Sequence, residues 1–287
     1  MWAQIAIHIS RTTGQPFEVT QSRSVSGGCI NQGYRLVGGD RVFFVKLNQA
    51  AQVAMFEAEA EGLREMDATR TIRVPRPICW GKTENSSYLV LEWLDLGRGN
   101  RNAWEAMGRQ LADLHRNTSQ KGFGWQLQNT IGSTPQINTW SKNWLDFWLE
   151  HRLGYQFHLA QRRGGHFPKQ NQLIAAVPQL LSHHNPPPSL VHGDLWSGNV
   201  AVARSGEPII FDPATYYGDR EVDLAMTELF GGFPAEFYRA YQQVLPLPDG
   251  YKQRKTLYNL YHILNHFNLF GGGYESQANS IIDQVLQ

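Results

Sequence analysis

Cysteine is nearly missing from this chain. Two thiols among 287 residues, Cys29 and Cys79, cannot build a disulfide framework, which excludes small stapled scaffolds and suits a reducing compartment. A charge excess of either sign is missing too. Lys and Arg number 26 against 25 Asp and Glu, a formal net charge of +1, so there is no basic field to gather nucleic acid. No apolar run approaches the roughly 20 residues that cross a bilayer. The opening residues 1–8 lack both a charged n-region and a long apolar core, so neither export nor a membrane partner is expected and a cytoplasmic location is. Internal repeats and low-complexity tracts are absent, and Asn185-Pro186-Pro187-Pro188 reads as one short stiff connector.

What is present is a spaced set of oxygen ligands. In Leu190-Val191-His192-Gly193-Asp194-Leu195-Trp196-Ser197-Gly198-Asn199, followed by Phe211-Asp212-Pro213, an HxD(x4)N pattern precedes a second aspartate. Phosphoryl transfer asks for a carboxylate beside the attacking hydroxyl and for hard ligands that hold magnesium across the phosphates. Asp194 fits the first task and Asn199 with Asp212 the second. A plain turn is the competing reading, since Gly193, Ser197, Gly198 and Asn199 are all turn formers. Against it, residues 189–191 read as a strand entering the loop, and 199–203 pair naturally with 208–211 as a hairpin that brings Asn199 and Asp212 to one end. Gly193 in place of the usual Arg, and Asp212-Pro213-Ala214 in place of Asp-Phe-Gly, point away from protein kinases.

Upstream, Gly27, Gly28 and Cys29 lie between two expected strands, where bare backbone N–H groups can close over phosphates. The strand Arg41-Val42-Phe43-Phe44-Val45-Lys46-Leu47 places Lys46 where kinases contact the α- and β-phosphates. In the helical segment 52–66, Glu59 precedes Leu63 and Met66 at helical spacing and is the expected partner of Lys46, with Glu57 as the alternative. Residues 88–93 form an apolar strand whose end reads as a hinge, and backbone groups of Glu92, Trp93 and Leu94 are expected to meet adenine. Residues 103–115 and 140–160 then carry apolar positions at helical spacing. The expectation is an α+β fold of two lobes: a small antiparallel β-rich nucleotide lobe, 1–94, and a larger mainly helical lobe, 95–287, carrying the catalytic loop and acceptor site.

The chain resembles the fructosamine kinase (ketosamine-3-kinase) family, within the wider protein-kinase-like group that includes aminoglycoside and choline phosphotransferases. The strings that carry the likeness are Ser26-Gly27-Gly28-Cys29-Ile30, Met55-Phe56-Glu57-Ala58-Glu59, Asn129-Thr130-Ile131-Gly132-Ser133-Thr134-Pro135-Gln136, the His192 to Asn199 loop, and residues 219–233 and 260–271. The resemblance implies ATP and Mg²⁺ as cofactors and phosphorylation of the sugar O3 of ketoamines, fructosyl or ribulosyl adducts of lysine and other amines, free or protein-bound. Such phosphorylated adducts break down and free the amine. It also implies that Asp223 accepts hydrogen bonds from the catalytic-loop backbone, with His192 as a scaffold. A hydroxyl kinase of the aminoglycoside or choline type is the alternative within the enzymes. A nucleotide-binding pseudokinase is the alternative outside them.

For the acceptor, Trp196, Tyr216, Tyr217 and Asp219 lie beside the expected chemistry. Trp144, Phe147 and Trp148 sit at helical spacing and read as packing rather than as a sugar platform. His262 and His266, four apart on an expected helix, lack a third metal ligand at matching spacing. His115, near a helix C-terminus, is read as a partner of that end's partial negative charge. Cys29, in a glycine loop near Lys46, is a redox candidate. Its oxidation, as a disulfide between two copies, would make the protein a redox-sensitive homodimer rather than a monomer. Cys79 follows Pro77-Ile78 on a separate expected strand and is a poor partner for it.

Overall fold

The computed structural model describes residues 1–25 and 30–287. The expectations placed on Gly27, Gly28 and Cys29 lie outside the described residues.

Helix α1 (Trp2–Thr13) leads into strands β1 (Gln21–Val25), β2 (Gln32–Gly38) and β3 (Arg41–Gln49). Helix α2 (Val53–Thr69) follows, then β4 (Pro77–Lys82) and β5 (Ser86–Glu92). The five strands form one antiparallel sheet in the order β1-β2-β3-β5-β4. Period-two alternation sorts its faces. Val45, Leu47, Tyr88 and Val90 pack with Ile5 and Ile9 of α1, while Leu89 and Leu91 pack with Phe56, Leu63 and Met66 of α2. Lys46 is paired with Leu89 across the ladder, so its side chain projects toward α2.

Beyond residue 92 the chain is mainly helical. It runs through α3 (Arg101–His115), the hairpin β6 (Asn129–Ile131) and β7 (Thr134–Gln136), α4 (Trp144–Phe147), a π-helical stretch (Trp148–Gly154), α5 (Tyr155–Arg162) and α6 (Gln170–Leu180). Two short ladders then form, β8 (Ser189–Val191) against β11 (Tyr216–Gly218), and β9 (Val200–Val202) against β10 (Pro208–Ile210). Helices α7 (Glu221–Leu229), α8 (Ala235–Val244), α9 (Tyr251–Phe270) and α10 (Tyr274–Val285) complete the chain. The β9/β10 hairpin is the one expected from sequence, and the Phe211 N–H donates to the Asn199 carbonyl at its open end, 3.0 Å.

The main helical core holds Trp144, Phe147 and Trp148, each no more than 3% exposed, against Tyr258, Tyr261 and Leu264. The packing reading of that aromatic stripe is the one observed. Cys79 is buried on β4, and burial pushes its thiol up to about 12, an inert setting. No helix among the described residues is long and apolar enough to cross a membrane.

Candidate active site

The catalytic-loop segment leaves β8 and turns back under the segment that follows β10. Gly193 makes the turn possible: it stands at φ +82, and a Cβ there would lie 2.2 Å from the Ala214 carbonyl oxygen. A side chain is excluded by contact as well as by conformation.

Asp223, in the first turn of α7 and fully buried, accepts hydrogen bonds from the His192 N–H at 2.7 Å and the Gly193 N–H at 2.8 Å. It therefore does what the resemblance implied. Burial works to raise its carboxyl, but the hydrogen bond and charge of His115, the charge of His192 and the Gly193 N–H outweigh that cost and hold it below the usual value. His115 corrects an expectation. It is 1% exposed, with Nε2 3.0 Å from Asp223 and Nδ1 2.8 Å from the Tyr241 hydroxyl. Its work is to tie α3, α7 and α8 to the loop rather than to answer a helix dipole.

His192 is buried, with Nε2 2.9 Å from the Phe211 carbonyl and Nδ1 3.3 Å from the Asp194 N–H. Burial lowers its pKa, and the neutral ring with the proton on Nε2 satisfies both bonds. It is thus a scaffold between the segments bearing Asp194 and Asp212. Asn199 donates its side-chain N–H to the Asp194 carbonyl at 2.8 Å and to the Asp194 carboxylate at 3.2 Å. Burial first, then the negative charge of Asp212, pushes the Asp194 carboxyl up to about 7.

From the sheet, Lys46 reaches Glu59 at 2.6 Å and bonds directly to Asp212. Burial alone would lower its pKa, yet the two carboxylates overcome this and keep it charged. Glu57 is exposed, so of the two candidates Glu59 is the partner. Asp212 itself stands at φ +58, a left-handed conformation that costs a non-glycine residue of order 1 kcal/mol and persists where the surroundings enforce it. Lys46, Glu59 and Asp212 thus form one contact group and Asn199 with Asp194 another, and the Phe211 N–H, one residue before Asp212, joins the two by its bond to the Asn199 carbonyl.

Glu65, which the sequence reading missed, joins α2 to the segment after Asp212. It accepts from the Tyr217 hydroxyl at 2.7 Å and from the Trp125 indole N–H at 2.6 Å. One turn earlier Gly62 lets the helix close on that segment, since a Cβ there would meet the Thr215 hydroxyl oxygen at 2.7 Å. The spacing Glu59, Gly62, Glu65 was the available signal, because i, i+3 and i+6 stay close to one helix face.

The remaining candidates divide. Trp196 is 37% exposed beside the catalytic loop and faces Phe230 edge-on, and half-buried Tyr217 is engaged by Glu65. Tyr216 and Asp219 are corrected. Tyr216 is 2% exposed, with the Arg152 guanidinium 4.0 Å from its ring centroid. Asp219, 1% exposed, accepts from the Tyr258 hydroxyl at 2.6 Å and lies 2.5 Å from His184. Both are spent on internal partners and offer no surface to an acceptor. His184, Asp219 and Glu221 cluster closely, but both Glu221 oxygens take Arg254, at 2.7 Å each. At the hinge, the Glu92 N–H donates to Arg76 and its carboxylate takes Arg73 at 2.7 Å, while the Trp93 indole N–H donates to Asp95 at 3.0 Å. Any adenine contact there falls to other backbone groups of 92–94. His266 Nδ1 lies 2.7 Å from the His262 carbonyl, burial keeps His262 neutral, and among the described residues neither histidine joins a cluster of three possible metal ligands.

A model of the fructosamine kinase family matches residues 1–287. A Synechocystis protein named as a probable ketoamine kinase is 62% identical, covering 100% of this chain and 97% of its own length. The chloroplastic protein-ribulosamine 3-kinase of Arabidopsis thaliana is 47% identical over 96% of this chain and 86% of its own. Among solved structures, a protein described as a fructosamine-3-kinase from Haemophilus somnus aligns with a TM-score of 0.94 at 30% identity, over 100% of this chain and 98% of that one. An aminoglycoside phosphotransferase aligns with a TM-score of 0.63 at 16% identity over 100% and 98%, a likeness of fold alone. With the family matched over its whole length and the two-lobed kinase-like architecture on both sides of the comparison, this chain belongs to the fructosamine kinase family.

Proposed function

We propose that this chain is an ATP-dependent ketosamine 3-kinase acting in the cytoplasm. It transfers the γ-phosphoryl group of ATP to the sugar O3 of a ketoamine, a ribulosyl or fructosyl adduct of an amine, releasing ADP. The observation that carries the reading is the convergence of Asp194, Asn199 and Asp212 with the Lys46–Glu59 pair, in a chain 47% identical to a ribulosamine 3-kinase.

In this reading residues 1–94 bind the nucleotide and 95–287 bind the acceptor. Lys46, held by Glu59, meets the α- and β-phosphates, and backbone of 92–94 meets adenine. Asp194 takes the O3 proton as the phosphoryl group leaves. Its raised pKa suits a base that is recharged near neutral pH. The charge of Asp212 acts on Asp194, and both candidate ligand groups, the Asp212 carboxylate and the Asn199 amide, offer oxygen. That donor set fits Mg²⁺, with Asp212 and the side-chain carbonyl of Asn199 as ligands, since the Asn199 N–H is already turned to Asp194. When bound, the ion offsets the phosphate charge. Trp196, exposed beside Asp194, is the surface on which the acceptor stacks.

ATP consumption measured against ribulosyl-lysine, fructosyl-lysine, kanamycin and choline tests this. Turnover is expected with one or both ketoamines and not with the two cations. Turnover confined to kanamycin or choline, or persisting in excess EDTA, sinks it.

A further inference from the structure

The β6/β7 hairpin belongs to no step above, yet it puts buried amides against the segment between Asp212 and β11. Asn129 donates its side-chain N–H to the Thr215 carbonyl at 2.8 Å, and Gln136 donates to the Ala214 carbonyl at 3.0 Å and to the Asn129 Oδ1 at 2.9 Å. Asn129 is 9% and Gln136 2% exposed. Behind them Asn138, fully buried, donates to Asn129 Oδ1 at 2.8 Å and accepts from Arg152 Nη2 at 2.8 Å, while Tyr261 donates to Gln136 Oε1 at 2.7 Å.

The polarity of this network is fixed at its far end. Arginine can only donate, so Asn138 Oδ1 must accept, its N–H must point to Asn129 Oδ1, and the Asn129 N–H must point to Thr215. This gives a reason for a fully buried Arg152 whose hydrogen-bond partners are the Ile137 and His151 carbonyls and Asn138, with no carboxylate among them. At the near end, the held carbonyls lie two and three residues after Asp212, whose φ is +58. Pro213 intervenes, and a residue before proline is pushed toward extended conformations. The backbone at Asp212 is thus in a conformation that its own sequence disfavours, and buried donors grip the chain just beyond it.

We propose that Gln136 and Asn129 are positioning residues for Asp212: by holding the Ala214 and Thr215 carbonyls they keep the segment in the left-handed turn that presents the Asp212 carboxylate to Lys46 and to the metal. The inference rests on the assignment of Asp212 as a metal ligand. Neither side chain touches nucleotide or acceptor in this account. Their effect passes entirely through Asp212.

Outer partners of a metal ligand are worth roughly 10–100-fold in metal affinity. Gln136→Met and Asn129→Asp are therefore expected to weaken Mn²⁺ binding to the ADP-bound protein, followed by electron paramagnetic resonance, by about tenfold or more. The Mg²⁺ concentration for half-maximal kinase activity should rise in parallel. In an Asp212→Asn background, Gln136→Met should add little, because the ligand it serves is already gone. Leu173→Ala, on α6 in the same core and with no part in the hydrogen-bonded network, controls for lost stability and should leave Mn²⁺ affinity unchanged. If Gln136→Met is folded and binds Mn²⁺ as wild type does, or if Leu173→Ala weakens it equally, the proposal is wrong. If wild type itself binds no Mn²⁺, or Asp212→Asn changes nothing, the metal assignment fails instead. Should both hairpin variants fail to fold, amide hydrogen exchange on wild type decides: the Ala214, Tyr216 and Tyr217 amides must be among the slowest in the protein, and rapid exchange there overturns the grip.

Discussion

Replacing Asp194 by Asn should cost the protein its activity and give it stability. The carboxyl's ordinary value of 3.8 is pushed up to about 7 by burial and by Asp212. A folded-state pKa above the unfolded one means that the native protein binds the proton more tightly. The associated stability is fully present below pH ~4 and is lost as pH rises toward 7. At about 1.4 kcal/mol per pH unit, the ionised carboxylate burdens the fold at pH 8 by roughly 4 kcal/mol as an upper bound. Relaxation and water at a partly exposed side chain bring this to about 1–2 kcal/mol. A neutral Asn of the same shape, still beside the Asn199 amide, removes that burden.

The assay is thermal unfolding at pH 5 and pH 8. Asp194→Asn should melt about 2–4 °C above wild type at pH 8, with the gap shrinking at pH 5, where the native carboxyl is already protonated. Turnover should fall roughly 10²–10⁴-fold. In wild type, kcat/KM should decline tenfold per pH unit below about 7, because only the ionised carboxylate accepts the O3 proton. A variant less stable than wild type at pH 8, or a gap independent of pH, refutes the account of Asp194 as a carboxyl held charged against its surroundings.

Lys46→Met and Glu59→Gln should each lower kcat/KM, and the double variant should be little worse than Lys46→Met alone, because the two act as one pair at 2.6 Å; full additivity in a double-mutant cycle contradicts this. Asp223→Ala strands two buried loop N–H groups and His115 and should destabilise the fold by roughly 3–5 kcal/mol in denaturant unfolding, with activity lost even where the protein is still folded. Glu65→Ala removes two hydrogen bonds to a carboxylate and should cost about 2 kcal/mol, with faster amide exchange along α2 and a higher KM for ATP; unchanged exchange in α2 would remove Glu65 from its bridging role.

How much of this was legible in the sequence depended on how local the determining contact is. The Lys46–Glu59 pair could be read because strand alternation aims one side chain and helical spacing the other, but the choice between Glu59 and Glu57 came only with the fold, which leaves Glu57 exposed. The β9/β10 hairpin could be read from two apolar runs around Arg204-Ser205-Gly206-Glu207. Asp223 was found through the family resemblance. What failed was long-range. Tyr216 and Tyr217 are adjacent in a three-residue strand, and which one faces the core is set by pairing with β8, not by anything within residues 216–218. Asp219 looks like a solvent-facing turn residue until His184 and Tyr258 are brought to it from 35 and 39 residues away. His115 was given a helix-end role because its partners, Asp223 and Tyr241, lie 108 and 126 residues downstream.

Those same long-range contacts explain how the site is paid for. Three of its groups are individually unfavourable: Asp194 is raised toward neutrality, Asp212 has a left-handed backbone, and the loop N–H groups of His192 and Gly193 are withdrawn from water. Two of these are met from outside the site by buried polar groups: Asp223, backed by His115 and Tyr241, takes the N–H groups, and Gln136 and Asn129 of the β6/β7 hairpin, backed by Arg152 and Tyr261, hold the segment after Asp212. Asp194 has no such counterweight among the described residues, where Asn199 is the one side-chain donor to its carboxylate and the charge of Asp212 acts against it. In the proposed mechanism this least compensated group is the one that changes protonation. A second donor fixed on Asp194 would stabilise the fold and, by lowering its pKa, weaken it as a base.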